Sequence, residues 1–293
     1  MKLSLALGLE TIKTTGGGVS PYPVDAFVID IKTDNVGTST SSQVTLPFQS
    51  YGAIDITVAW GDGVIDANIT AWNDSRFTHT YPIAGEYQVV ITGTIRGWRQ
   101  INAGDKLKMM LIRQWGTFQI TNGQAFGGST NIDCIALDAP IISTDNLLET
   151  FWSCPNIVQI GFGWDVSGVY SFQRMLYGCL KMNSSDIPNW DMKTTAWYLW
   201  WMLWGCDSFD QSLAPWDITN ISNATDFLRY ANPGMSTINY DATLLSWASQ
   251  IPLIVHTPIF DFGDAKYTGG GAVAQARADL ISAGVGIIDG GIA

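Results

Sequence analysis

The chain has 293 residues, enough for two or three domains and a sizeable buried core. Charged residues make up only 14%, against 13 Trp and 30 Gly, a balance opposite to that of a disordered chain. The formal net charge of −11 would repel nucleic acid and anionic membrane alike, and no apolar run approaches the ~18 residues of a membrane span. Neither nucleic-acid binding nor membrane insertion is expected.

Residues 1–23 read as an N-terminal anchoring arm and Gly-rich linker. Leu3, Leu5, Leu7 and Leu9 alternate with small or polar residues, the period of a strand. Glu10 cuts the apolar stretch short of a secretory signal. Gly16, Gly17 and Gly18 then form a hinge. A lone strand is not stable by itself, so this one must pair. Docking onto a neighbouring subunit by strand addition is the expected use, and packing on its own chain is the alternative.

Residues 24–100 read as a small all-β domain. Strands are predicted at 26–31, 43–46, 54–60, 77–81 and 87–92, separated by turn residues, which suggests a sandwich. Trp60-Gly61-Asp62-Gly63 is a tight turn. That turn, with His79-Thr80-Tyr81 and Gly85-Glu86-Tyr87 after it, resembles Ig-like domains of the polycystic-kidney-disease type. The resemblance implies a spacer or contact module, with structural roles for Asp62 and His79.

Residues 101–250 carry an internal repeat. Trp164-Asp165, Trp190-Asp191 and Trp216-Asp217 fall 26 residues apart, twice. Phe126, Phe151, Leu176, Leu203 and Leu228 are spaced 25, 25, 27 and 25, and each is followed three residues later by a small side chain: Ser129, Cys154, Cys179, Cys206 and Ala231. Each repeat reads as one helix-like and one strand-like segment, too small to hide its own apolar face. Stacking would bury the large and small columns in one core. The cysteines lack the clustered spacing of a metal site or disulfide framework, so reduced, buried thiols are expected.

Met175-Leu176-Tyr177-Gly178-Cys179 and Met202-Leu203-Trp204-Gly205-Cys206, with the Trp-Asp pairs after them, resemble the BspA-like class of bacterial surface-antigen leucine-rich repeats. Residues 251–293 are similar to the tail that follows such arrays and read as a C-terminal cap, with a helix at 272–282 ending at Gly284. The expected fold is therefore mixed β and α+β: an N-terminal Ig-like β-sandwich, then a leucine-rich-repeat-like solenoid with a C-terminal cap.

Chemistry is sparse. There are two histidines, far apart, and no phosphate-binding loop, nucleophile elbow or zinc-protease signature. No catalytic residue, metal or cofactor is expected. Asp165, Asp191 and Asp217 read as turn caps, with a Ca²⁺ ladder as the alternative. The unusual feature is aromatic. Around the large apolar column, positions that are charged or polar in some coils hold Trp152, Tyr177, Trp200, Trp201 and Trp204 in others, so these five are expected to face solvent as a binding patch.

Proteins pairing such a sandwich with such repeats are frequent in phage genomes. The resemblance implies a non-enzymatic virion protein: a fibre, tail appendage or capsid decoration at the particle surface. It would be anchored to other virion subunits through the arm and form a homo-oligomer in the particle. The repeats would meet a host-surface glycan or protein. A bacterial cell-surface adhesin is the alternative, and a polysaccharide depolymerase a third.

Overall fold

A computed structural model describes residues 20–192 and 197–293. The fold is mixed: mostly sheet, with two α-helices among the described residues and no closed barrel. The strands are β1 (Phe27–Lys32), β2 (Gln43–Thr45), β3 (Asp55–Ala59), β4 (Ile65–Ile69), β5 (Thr78–Thr80), β6 (Glu86–Thr94), β7 (Met109–Gln114), β8 (Gln119–Ile120), β9 (Asp133–Cys134), β10 (Ile141–Ile142), β11 (Trp197–Tyr198) and β12 (Ile221–Asn223). Helix α1 (Thr237–Ala248), β13 (Ile259–Asp261), α2 (Gly271–Ser282) and β14 (Gly286–Ile288) complete the chain.

Six strands form one sheet in the order β4-β3-β6-β1-β7-β9, and β2 pairs with β5 in a second, two-stranded sheet. β1 shows why the alternation matters. Phe27, Ile29 and Ile31 are fully buried, while Asp30 turns outward and meets Arg113 of β7 at 2.6–2.9 Å through three donor–acceptor contacts. The five strands predicted before residue 100 are present with ends shifted by one or two residues, and β4 is an additional one.

The expected boundary at residue 100 falls inside a continuous structure. β7 lies beyond it yet pairs antiparallel with β1, and β9 joins β7 in parallel. The Met109–Gln114 segment, whose pairing with β1 shifts register twice, buries Met109 and Ile112 in the same apolar cluster as β1, so the two regions share one core. Its aromatic spine runs from Phe27 and Trp98 through Trp115 to Phe126, Phe151 and Trp164. Lys108, also past residue 100, is fully buried. Its Nζ donates to the carbonyls of Ser39, Thr40 and Gln43 and to Ser39 Oγ. Asp105 takes the backbone N–H groups of Ser39 and Thr45 from the same loop.

Between residues 120 and 231 the chain makes successive coils. The helix-like segments expected there are tight turns instead. The reason is local. Gln124, Glu149, Arg174, Trp201 and Asp226 all have φ between +53° and +66°, and left-handed residues recur four positions on at Gly128, Ser153, Gly178, Gly205 and Tyr230. Two such residues per turn prevent a helical run. Alternate N–H groups point to the next coil, and those between them bond within their own turn, as Trp152 does to the Glu149 carbonyl. Glu149, Phe151 and Ser153 donate to the carbonyls of Gln173, Met175 and Tyr177; Arg174, Leu176 and Gly178 to those of Trp200, Met202 and Trp204; Trp201, Leu203 and Gly205 to those of Thr225, Phe227 and Arg229.

Phe126, Phe151, Leu176, Leu203 and Leu228 are all fully buried, and the two Phe rings stack at 5.5 Å. The four cysteines are unbonded and buried. Their small size does more than allow close approach: the thiols of Cys154, Cys179 and Cys206 donate to the carbonyls of Phe126, Phe151 and Leu176, in the preceding coil, at 3.1–3.2 Å.

After the last coil the ladder passes to β13 through Leu228 N–H and the Asp261 carbonyl, and from β13 to the parallel β14. α1 buries Tyr240, Leu244 and Trp247, spaced at four and three on one face, and is capped by Ser236, whose hydroxyl accepts from the Asn239 N–H. The helix expected at 272–282 is α2, followed by Gly284 at φ +95°. Asp289 ties the two helices together: its carboxylate accepts from the Tyr240 hydroxyl and from the Arg277 guanidinium.

Candidate functional site

The left-handed residues fan side chains outward along one edge of the coils. Tyr177 and Trp204, one coil apart, lie parallel with centroids 4.3 Å apart. Trp201 sits 6.0 Å from Tyr177 and 4.6 Å from Trp200, and Tyr230 meets Trp204 edge to face at 5.1 Å. The guanidinium of Arg174 covers Trp201 at 4.5 Å and Trp200 at 5.4 Å. The result is an aromatic ledge of four predicted residues plus Tyr230, which is 60% exposed.

The predicted aromatics were expected to stand exposed; all five are half-buried instead. The cause is a lateral chain of interactions, about one link per coil. Arg99 donates to Gln124 Oε1, Gln124 Nε2 to Glu149 at 2.6 Å, and Arg174 to Glu149 at 3.2 Å. Arg174 then lies on Trp201, and Trp201 Nε1 and Arg229 both donate to Asp226 at 2.9–3.0 Å. Each ring of the ledge therefore packs flank to flank with a neighbour. Tyr177 and Trp204 each spend one face on the other, leaving ring edges, the Tyr177 hydroxyl and the Trp204 indole N–H for a partner.

Trp152 stands apart from this group. It lines a cleft of about 130 Å³ with Ile101, Asn102, Gln124, Gly127 and Glu149. The backbone here is unusual. Ile101 and Asn102 are left-handed at φ +50° and +54°, and a β-branched residue in that region carries strain on the order of 1–3 kcal/mol. Sequence reasoning missed this cleft because Ile101 and Asn102 precede the first regular coil, where no column exists to place them. Tyr230 was legible in principle, since it lies two positions after Leu228 in the column that holds Gly178 and Gly205.

The other candidates have structural partners. Asp165 and Asp217 accept from the N–H and hydroxyl of Ser167 and Thr219, as turn caps do, and these bonds hold Asp165 below the usual carboxylate range. Trp164, Trp190 and Trp216 are buried, their Nε1 groups bonded inside the coils. Asp62 accepts from the Val64 N–H and meets His79 Nε2 at 2.8 Å, and the His79 ring stacks on Trp60 at 4.6 Å. Burial works to raise the Asp62 carboxyl, but the hydrogen bonds from His79 and Val64 outweigh it and hold the carboxyl low. Among the described residues no group of three or more His, Cys, Asp or Glu side chains is placed to hold a metal ion, and no helix is long and apolar enough to cross a membrane. The anchoring arm with Leu3, Leu5, Leu7 and Leu9 lies outside the described residues.

No curated protein and no solved structure matches the chain. The family described as "Mycoplasma protein of unknown function, DUF285" matches residues 123–240, the stretch that contains all five coils of the Phe/Leu column.

Proposed function

We propose that this chain is a non-enzymatic binding protein of a phage particle surface. In this reading residues 24–100 are an Ig-like spacer and residues 101–250 a leucine-rich-repeat-like solenoid closed by the cap at 251–293. The aromatic ledge of Tyr177, Trp200, Trp201, Trp204 and Tyr230 meets a host-surface glycan or protein. The ledge is the observation that carries it. It gathers five large aromatic rings at an accessible edge, the composition of a binding hot spot rather than of a solvated face. The inter-coil hydrogen bonds and the buried Phe/Leu column support the solenoid, because each coil pairs its backbone only with its neighbours. The arm of residues 1–23 anchors the chain to other virion subunits and brings copies together in the particle.

The test has two parts. Antibody against the chain should label intact particles from a lysed source culture; label confined to the cell envelope replaces the virion reading with an adhesin. Fluorescently labelled full-length protein should bind host envelopes, and Trp204→Ala should weaken that binding at least about tenfold with the melting temperature preserved. Unchanged binding would remove the ledge from the function.

A further inference from the structure

The cleft beside Trp152 differs from the ledge in having a polar rim already held in place. Glu149 is fixed from both sides. Its Oε2 accepts from Gln124 Nε2 and its Oε1 from Arg174 Nη1, so the carboxylate cannot swing away from the cleft. Both oxygens keep further lone pairs for a ligand donor. Asn102 Oδ1 is taken by the Lys106 ammonium. Among the described residues no partner takes the Asn102 Nδ2 hydrogens, and none takes the Trp152 Nε1 hydrogen. Gly127 forms the floor, where a Cβ would come within 3.3 Å of the Glu149 carbonyl.

The cleft therefore presents one indole, one oriented carboxylate and one carboxamide with free donors, in about 130 Å³, room for roughly four waters. Its backbone is held in left-handed conformations at Ile101, Asn102, Gln124 and Glu149, and such positions collect where a site is organised in advance.

We propose that this cleft is a saccharide subsite that takes one edge of a neutral hexopyranose unit of a host-surface glycan, the rest of the ring standing out of the cleft mouth. A pyranose has an apolar C–H face to lie against the indole of Trp152. Its hydroxyls donate to Glu149 and accept from Asn102 Nδ2. Glu149 is already paired with Arg174, so the rim offers hydrogen-bond partners rather than a free charge, which suits a plain or N-acetylated hexose. The proposal deepens the reading of the chain as a surface-binding protein and rests on it, but it uses a different set of side chains from the ledge.

The experiment is saturation-transfer NMR on the full chain with four probes, the methyl glycosides of glucose, galactose, mannose and N-acetylglucosamine. At least one should give saturation transfer that falls at least about tenfold in Trp152→Ala and in Glu149→Gln but not in Trp204→Ala. Trp152→Phe, which keeps an aromatic face, should retain measurable transfer and covers the case in which the alanine variant fails to fold. No transfer from any probe to the wild-type chain overturns the proposal, as does transfer unaffected by Glu149→Gln. Transfer lost only in Trp204→Ala also overturns it, by moving the sugar to the ledge and leaving the surface-binding reading intact. Transfer lost in Trp152→Ala while Trp204→Ala still binds envelopes normally upholds the cleft and removes the ledge.

Discussion

The sheet around β1 and the coils after residue 120 satisfy their backbones over different distances along the chain. In the sheet, β1 pairs with β6, so Phe27 faces Ile91 and Lys32 faces Glu86, and β7 returns to the other side of β1 from beyond residue 100. In the coils, an N–H that leaves its own turn finds a carbonyl in an adjacent coil, as Phe151 does at Met175 one coil on and Asn183 at Val158 one coil back. The sheet region also buries polar pins: Lys108 with Asp105, His79 with Asp62, and the Tyr81 hydroxyl on the Trp60 carbonyl. The coils combine apolar columns and thiols with pins of shorter reach: buried Asp186 accepts from Trp190 Nε1 and from the Gly163 N–H. The contrast teaches that closure between distant segments here relies on specific polar contacts across the sheet region, whereas the coils place theirs between neighbours.

The largest effect should follow removal of a pin. Asp105→Ala leaves the Lys108 ammonium buried opposite a lost carboxylate and frees two N–H groups of the 39–45 loop. It should cost about 3–5 kcal/mol in denaturant unfolding. A cost under about 1 kcal/mol would mean that the loop carbonyls alone satisfy the lysine, and the contrast between regions would collapse.

Next comes a column residue. Leu203→Ala should cost about 2–5 kcal/mol, because the coils on both sides are tied to their own backbone ladder and cannot fully collapse into the cavity. Hydrogen exchange should speed up chiefly in the neighbouring coils. Uniform acceleration out to β3 and β4 would show that the sheet and coils unfold as one unit.

A smaller and purely chemical contrast concerns the thiols. Burial pushes Cys134 and Cys179 up to about 12, and Cys154 and Cys206 are raised as well. The native chain should therefore resist iodoacetamide at pH 8, with all four thiols reacting only on unfolding. Fast labelling of any one would place it outside the stack.

The smallest effect should be seen in acid. Asp62 is held below its ordinary value in the folded chain, so it binds its proton less readily there than when unfolded. Its contribution is complete above the ordinary carboxylate value, around pH 4, and is lost as pH falls through the lowered folded value. Wild-type stability should drop more steeply than that of Asp62→Asn below pH 4, as measured by thermal melts. Parallel curves would mean that the His79 contact adds nothing beyond a neutral hydrogen bond.

Much of this was legible from local pattern. The alternation in Phe27–Ile31 places β1, and the 25-residue spacing of Phe126, Phe151 and Leu176 identifies a buried column without any knowledge of neighbours. β4 was not legible, because Asp66, Ala67 and Asn68 give it no apolar alternation; it exists because β3 offers it an edge. The helix-like reading of the coils failed for a related reason. Their apolar spacing is compatible with a helix, but left-handed Glu149, Arg174 and Trp201 carry no signature in residue type.

By itself the sequence determined which side chains are interior and which recur, since burial of apolar surface follows from periodicity alone. It placed Trp152, Tyr177, Trp200, Trp201 and Trp204 on one edge of the repeat because they share columns with charged or polar residues. Only the tertiary structure decided how those rings lie. Stacking of coils brings Arg174 onto Trp200 and Trp201, sets Tyr177 against Trp204, and leaves Trp152 facing Asn102 and Glu149 instead. It also decided that β7 and Lys108 belong with the first sheet, across residue 100. Those outcomes depend on distances between segments far apart in the chain, and spacing along a sequence does not encode them.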